Sequence, residues 1–230
     1  LRGNRSQQSL SRLHASASAI MIFGRKLKPR RWNIAAVRLY RSSMRKVLRD
    51  NPFVLVLAAA CVGAASGTIA SLMILVAETA HSVLFRLAPG ERLSSVIAVP
   101  FPLAVFTVTL GGVLVGLTYI HQSRLRHVIV DPIEANALYG GRMSMRDSAF
   151  VALQSLLSSG FGLSLGIEGG FTQAAGAVGS KVGQLLNRRR HDVRMLVGAG
   201  AAGGIAGAFA APFAGAAYGF ELIVGSYTVA

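Results

Sequence analysis

The sequence predicts an all-α, polytopic membrane protein built from broken and tilted helices. Three observations lead there. Hydrophobic residues make up 52% of the chain and charged residues 14%, with a mean hydropathy of +0.51; an average soluble chain is about 25% charged. Two runs, 53–77 and 95–120, contain no charged side chain and reach the ~20 residues that a helix needs to cross a bilayer. The remainder, from 148 onward, is apolar and dominated by Gly and Ala.

In chain order, residues 1–50 form a basic arm. It holds thirteen of the 24 Lys and Arg residues against one acid, Asp50. The positive-inside rule assigns such an arm to the cytoplasm. Beside a first span, a basic arm meets anionic lipid headgroups rather than nucleic acid. Residues 33–50 suit an interfacial helix, with Ile34, Val37, Leu39, Met44 and Leu48 among arginines. Residues 1–20 are Ser/Arg-rich without acids, which suits a transit peptide, a disordered lead or a non-native extension of a frame beginning at Met21. The last of these is preferred.

Residues 51–86 as one helix would be about 54 Å long at 1.5 Å per residue. That exceeds the bilayer, so the helix must tilt. The lone Cys61 falls inside it and reads as a small core residue. A connection with His121, Arg124, Arg126 and His127 follows the second span; no carboxylate or thiolate lies close, so it is a basic loop and not a metal site. Pro132 suits the first turn of a short helix over 132–138, with Asp131 as its N-cap. Residues 148–166 and 171–187 are shorter apolar segments, and 195–220 is a third. Their small residues permit close helix packing. Gly- and Pro-broken helices also place backbone groups near the bilayer midplane in transporters. No phosphate loop or zinc spacing occurs, so no enzyme, cofactor or metal is expected.

Glu168 stands out. Between Ser148 and Asn187 the only other charged side chain is Lys181. An ionised carboxylate at membrane depth costs about 3 kcal/mol on insertion scales and rarely sits there without a role. It lies in Gly166-Ile167-Glu168-Gly169-Gly170. Glycines let backbone N–H groups approach a ligand closely, and a helix N-terminus attracts anions. A tethered carboxylate can occupy such a site or vacate it for a free anion, which is the behaviour of a gate.

The segment from Gly166 to Gly179 resembles a signature of the CLC chloride channels and chloride/proton antiporters, Gly-x-Glu-Gly-Pro followed by a Gln and spaced glycines. Gly166, Glu168, Gly169, Gln173, Gly176 and Gly179 are in register, with Gly170 at the family's proline. Restoring a proline at 170 is expected to be tolerated, as in a first helical turn. A second block, 196–221, resembles the family's Phe-x-Ala-Pro-x-Ala-Gly segment and the Glu after it, through Phe209, Ala211, Pro212, Ala214, Gly215 and Glu221.

The resemblance spans roughly 33–230 and implies the first half of an inverted-repeat domain over 51–230. The chain ends at Ala230, so a piece of a longer protein is expected. It further implies transport of chloride or another small anion, a homodimer, and a bacterial inner (plasma) membrane location with a cytoplasmic N-terminus. Glu168 would be the gate, and the backbone of Gly166, Ile167, Glu168, Gly169 and Gly170 would line the anion site.

The family's Gly-Ser-Gly-Ile-Pro filter loop would fall at His127, Val128, Ile129 and Val130, where no Gly-Ser-Gly occurs. Glu221 is the candidate for a proton path. The next position, an acid in the antiporters, is Leu222, which favours a passive channel over an antiporter. A non-conducting, degenerate membrane protein of the same type is the remaining alternative.

Overall fold

The computed structural model describes residues 51–87, 91, 93–95, 99–124, 129–163 and 166–225. The basic arm at 1–50, with its interfacial helix, and His127 and Val128 of the expected filter loop lie outside the described residues. Every regular element among those described is helical.

Helix α1 spans Pro52–Leu84. The Asn51 side chain accepts from the Phe53 N–H at 2.9 Å, and Pro52 supplies a pre-set φ at the first position. Its 33 residues make it about 50 Å long. Only one stripe, Val62, Ser66, Ala70, Met73 and Ala77, is buried. Cys61 is exposed, not in the core as expected, because it is outside that stripe.

A 3₁₀ turn, Leu93–Ser95, precedes helix α2, Phe101–Arg124. The uncharged run had suggested a start near 95. The helix instead begins at Phe101, where the Pro100 carbonyl accepts from the Ala104 N–H at 3.0 Å. Helices α1 and α2 are long and apolar enough to cross a membrane, and only 17% and 11% of their apolar windows are buried. A core helix of a soluble protein would be mostly buried, so these surfaces fit a lipid environment.

Helix α3 is Pro132–Leu138, with the predicted bounds. Helices α4 (Met145–Gly160), α5 (Ile167–Leu185) and α6 (Arg190–Phe209) follow. The apolar stretch 195–220 is broken at Ala210, whose φ is +49°, and resumes as α7, Pro212–Tyr218, then a π-helical segment Gly219–Val224. Proline at 212 cannot continue the ladder of α6 and opens α7 instead.

The core is where α1, α5 and α6 meet, with almost nothing but small residues between them. Gly207 lies so near Gly67 that an added Cβ would be 2.6 Å from its carbonyl oxygen, and Gly203 faces Gly63 in the same way one turn earlier. Gly179 of α5 faces the Leu196 carbonyl of α6, and Gly200 of α6 faces the Ala175 carbonyl. Backbone-to-backbone approach of this kind replaces the hydrophobic drive that lipid does not supply. Two apolar clusters flank it: Ala135, Met143, Ala177, Val197, Ala201 and Ile223 toward α3, and Ala70, Met73, Ala152 and Phe171 toward α4.

Candidate functional site

The candidate site is the N-terminus of α5. Chain direction reverses after α4 through Phe161 and Gly162, and α5 begins after Gly166. Gly166 has φ +76°, a left-handed conformation that residues with a Cβ rarely adopt. No side chain caps this helix. The first N–H groups of a helix have no intrahelical acceptor, and aligned peptide dipoles add about half a positive charge there.

Side chains alternate between core and exterior around this start. Ile167 is half-buried against the Phe171 cluster, Glu168 and Gly169 are exposed, and Gly170 is buried. The Glu168 carboxylate folds back over the helix start: its Oε2 is 3.4 Å from where a Cβ on Gly166 would be. One turn on, the Thr172 hydroxyl donates to the Glu168 carbonyl at 3.0 Å and the Gly169 carbonyl at 3.2 Å. The space around Gly169 is open, with no atom within 4 Å of a Cβ position.

Gly170 differs. A Cβ there would be 2.6 Å from the Ser155 Cβ of α4 and 3.4 Å from Met73 of α1. It serves packing, and the expectation that a proline fits at 170 meets Ser155. As the fourth residue of α5, its N–H also falls where the helix ladder starts.

The starts of α6 and α7, at Arg189 and Ala211, also have no side-chain cap, whereas those of α3 and α4 do. Asp131 Oδ1 accepts from the Glu134 N–H at 2.7 Å, so the start of α3 is already occupied by its own carboxylate. Ser144 caps α4 in the same manner, through the Asp147 N–H at 3.4 Å. Among the expected filter-loop residues, Ile129 and Val130 are half-buried and lie outside any helix, just ahead of α3. The Val130 carbonyl accepts from Gln173 of α5 at 2.9 Å, which ties this segment to the helix that carries Glu168.

Glu221 is exposed on the π-helical segment, which packs on α6 and α3, and Leu222 beside it is exposed. π-turns often mark functional sites, but no contact joins Glu221 to Glu168 in the way Gln173 joins Val130 to α5. Among the described residues no group of three or more His, Cys, Asp or Glu stands together as a metal site.

Sequence reasoning placed Gln173 in a signature without giving it a partner. The signal was available: an amide among Gly and Ala, in a stretch too apolar to hydrate it, must find hydrogen-bond acceptors.

These features define a polytopic α-helical membrane protein with an uncapped helix start and a carboxylate over it. The chain belongs to the CLC family: the family described as voltage gated chloride channel matches residues 111–230. It is 36% identical over 139 residues to a ClcB-like chloride channel protein of Ralstonia nicotianae, covering 58% of this chain and 32% of that protein. It is 28% identical over 130 residues to a chloride/fluoride channel protein of Pseudomonas syringae pv. tomato, covering 53% and 27%. It is also 28% identical over 152 residues to the voltage-gated ClC-type chloride channel ClcB of Yersinia pseudotuberculosis, covering 64% and 36%. The chain spans about a third of the length of the curated relatives it matches. It has no match among solved structures.

Proposed function

We propose that the protein passes a small anion, chloride above all, across a membrane by a passive route gated by Glu168. The observation that carries this reading is the uncapped start of α5 with the Glu168 carboxylate folded over it. A helix start with free N–H groups attracts anions. A tethered carboxylate there competes with a free anion for the same donors, and its protonation or rotation removes the competitor. The relatives' names, chloride channels and a chloride/fluoride channel, support the choice of ion. The N–H groups of Ile167, Glu168 and Gly169, with the Gly166 turn, form the site in this reading. In this reading Ile129 and Val130, ahead of α3, border it.

Passive transport is favoured over proton exchange by Leu222, which has no proton to carry. A proton route through lipid-depth protein needs ionisable groups or water. The rest of the reading is a homodimer in a bacterial inner membrane, with the basic arm in the cytoplasm facing anionic lipid.

The test is anion efflux from vesicles containing the protein, recorded with chloride and pH electrodes together. Chloride efflux without a fixed proton ratio is expected, with faster efflux in Glu168→Ala. A constant proton-to-chloride ratio across several gradients would replace the channel by an antiporter, with Glu221 as the first proton donor to test. Efflux unchanged in Glu168→Ala would remove the gate.

A further inference from the structure

Gln173 is buried, with 3% of its surface exposed, on α5 five residues beyond Glu168. Its Nε2 donates both to the Val130 carbonyl at 2.9 Å and to the Ser148 hydroxyl at 3.2 Å. One amide therefore joins three pieces of chain: α5, the segment ahead of α3, and the first turn of α4. Burying an amide costs several kcal/mol unless its hydrogen bonds are made, so the geometry around it is held closely.

Residues 173, 176, 177 and 180 lie on one face of α5, by the i, i+3, i+4, i+7 spacing. All four meet α3 or its flanks. Gly176 approaches the Pro132 ring, where a Cβ would be 3.1 Å from Cγ. Ala177 packs in the cluster with Ala135. The Ser180 hydroxyl accepts from the Met143 N–H at 2.9 Å. Of the four, Gln173 lies nearest the start of α5, about 9 Å along the axis from Ile167 at 1.5 Å per residue. It is also the one that reaches ahead of α3. Ser180 holds the opposite flank, after α3.

We propose that Gln173 is a positioning residue for anion selectivity: its amide fixes the distance between the Ile129–Val130 segment and the open start of α5. This rests on the reading of that start as the anion site. Selectivity in ion pathways depends on site dimensions and on the number and strength of the dipoles presented to the ion. Loosening the Val130 carbonyl from α5 changes both. The amide itself donates no bond to the anion, since its Nε2 is engaged by Val130 and Ser148.

The experiment measures the chloride-to-nitrate permeability ratio, from reversal potentials with one anion on each side of a bilayer containing the protein. Gln173→Leu keeps the side-chain size and removes the donor of two buried bonds; Ser180→Ala removes the acceptor of two, from the Met143 N–H and from Gln184 Nε2, on the same helix face at the far flank of α3. A merely structural role predicts similar losses of thermal stability and an unchanged ratio in both. The positioning role predicts a ratio shifted by about threefold or more in Gln173→Leu and little changed in Ser180→Ala. Ser148→Ala, which leaves Gln173 with one of its two acceptors, is expected to shift the ratio less and in the same direction, and it serves where Gln173→Leu does not assemble. An unchanged ratio in every assembled variant, or an equal shift in Ser180→Ala, overturns the proposal. Glu168→Gln separates the two readings. If it alters conduction while the Gln173 variants keep the wild-type ratio, the anion site stands and the positioning role falls. If it alters nothing, the site reading falls first.

Discussion

Helix α5 uses its glycines in two opposite ways. At its start, Gly169 has open space where a side chain would be, and no side chain caps Gly166. Ten residues further on, Gly179 lies directly on the Leu196 carbonyl of α6. In the first region the missing side chain leaves backbone donors accessible. In the second it lets two backbones touch. Both positions are glycines of one helix, so residue type cannot tell an open glycine from a packed one. The neighbouring helix decides.

The sharpest way to break this comparison is to add bulk on the packed side. In Gly179→Val the added carbons would have to occupy the space of the Leu196 backbone, which cannot retreat the way a flexible side chain does. Overpacking a well-filled core costs about 1–3 kcal/mol, and more where backbone must move. The expected outcome is loss of the folded species, read as aggregation on size exclusion in detergent. Gly207→Val at the α1–α6 crossing is expected to behave alike. A monodisperse, heat-stable Gly179→Val protein would mean that α5 and α6 are not packed this closely.

The next effect in size is on conduction. Glu168→Gln keeps the shape of the side chain and removes its charge. With that charge gone from the start of α5, anion flux is expected to be higher in the variant than in the wild type. Efflux from vesicles measures it. A variant with the wild-type flux would detach Glu168 from gating. On the open side of α5, Gly169→Val should fold, since nothing stands in its way. Its branched side chain then crowds an anion held about 3 Å from the backbone. A loss of about tenfold in chloride affinity, or 1.4 kcal/mol, is expected by calorimetry. Wild-type affinity would separate this glycine from the site.

Much of this was legible beforehand for physical reasons that can be named. Asp131-Pro132 combines a cap with a pre-set φ, which local chemistry fixes without help from the rest of the fold; α3 accordingly starts where expected. The long uncharged runs gave α1 and α2 for the same kind of reason. What could not be read was long-range. Nothing in the sequence near Gly170 announces Ser155, and nothing near Gln173 announces Val130, because each partner comes from a different helix or connection. Cys61 failed for a related reason: an apolar run shows which residues avoid water, but not which of them face protein and which face lipid.

Gly170 sits at the border between the two regions and sharpens the comparison most finely. It follows Gly169 directly, yet it belongs to the packed side, against Ser155 of α4 and Met73 of α1. Gly170→Ala adds one methyl group and nothing polar. Alanine gains in helix propensity over glycine by about 1 kcal/mol, while the contact with the Ser155 Cβ works against it by a similar or larger amount. The expected outcome is a small drop in melting temperature in detergent and unchanged chloride affinity. Ser155→Gly in the same protein removes the opposing Cβ and should restore the melting temperature, because two residues in contact do not contribute additively. A drop that Ser155→Gly fails to repair would put a different neighbour against Gly170. A chloride affinity that falls in Gly170→Ala while stability holds would move this glycine to the anion side of the border.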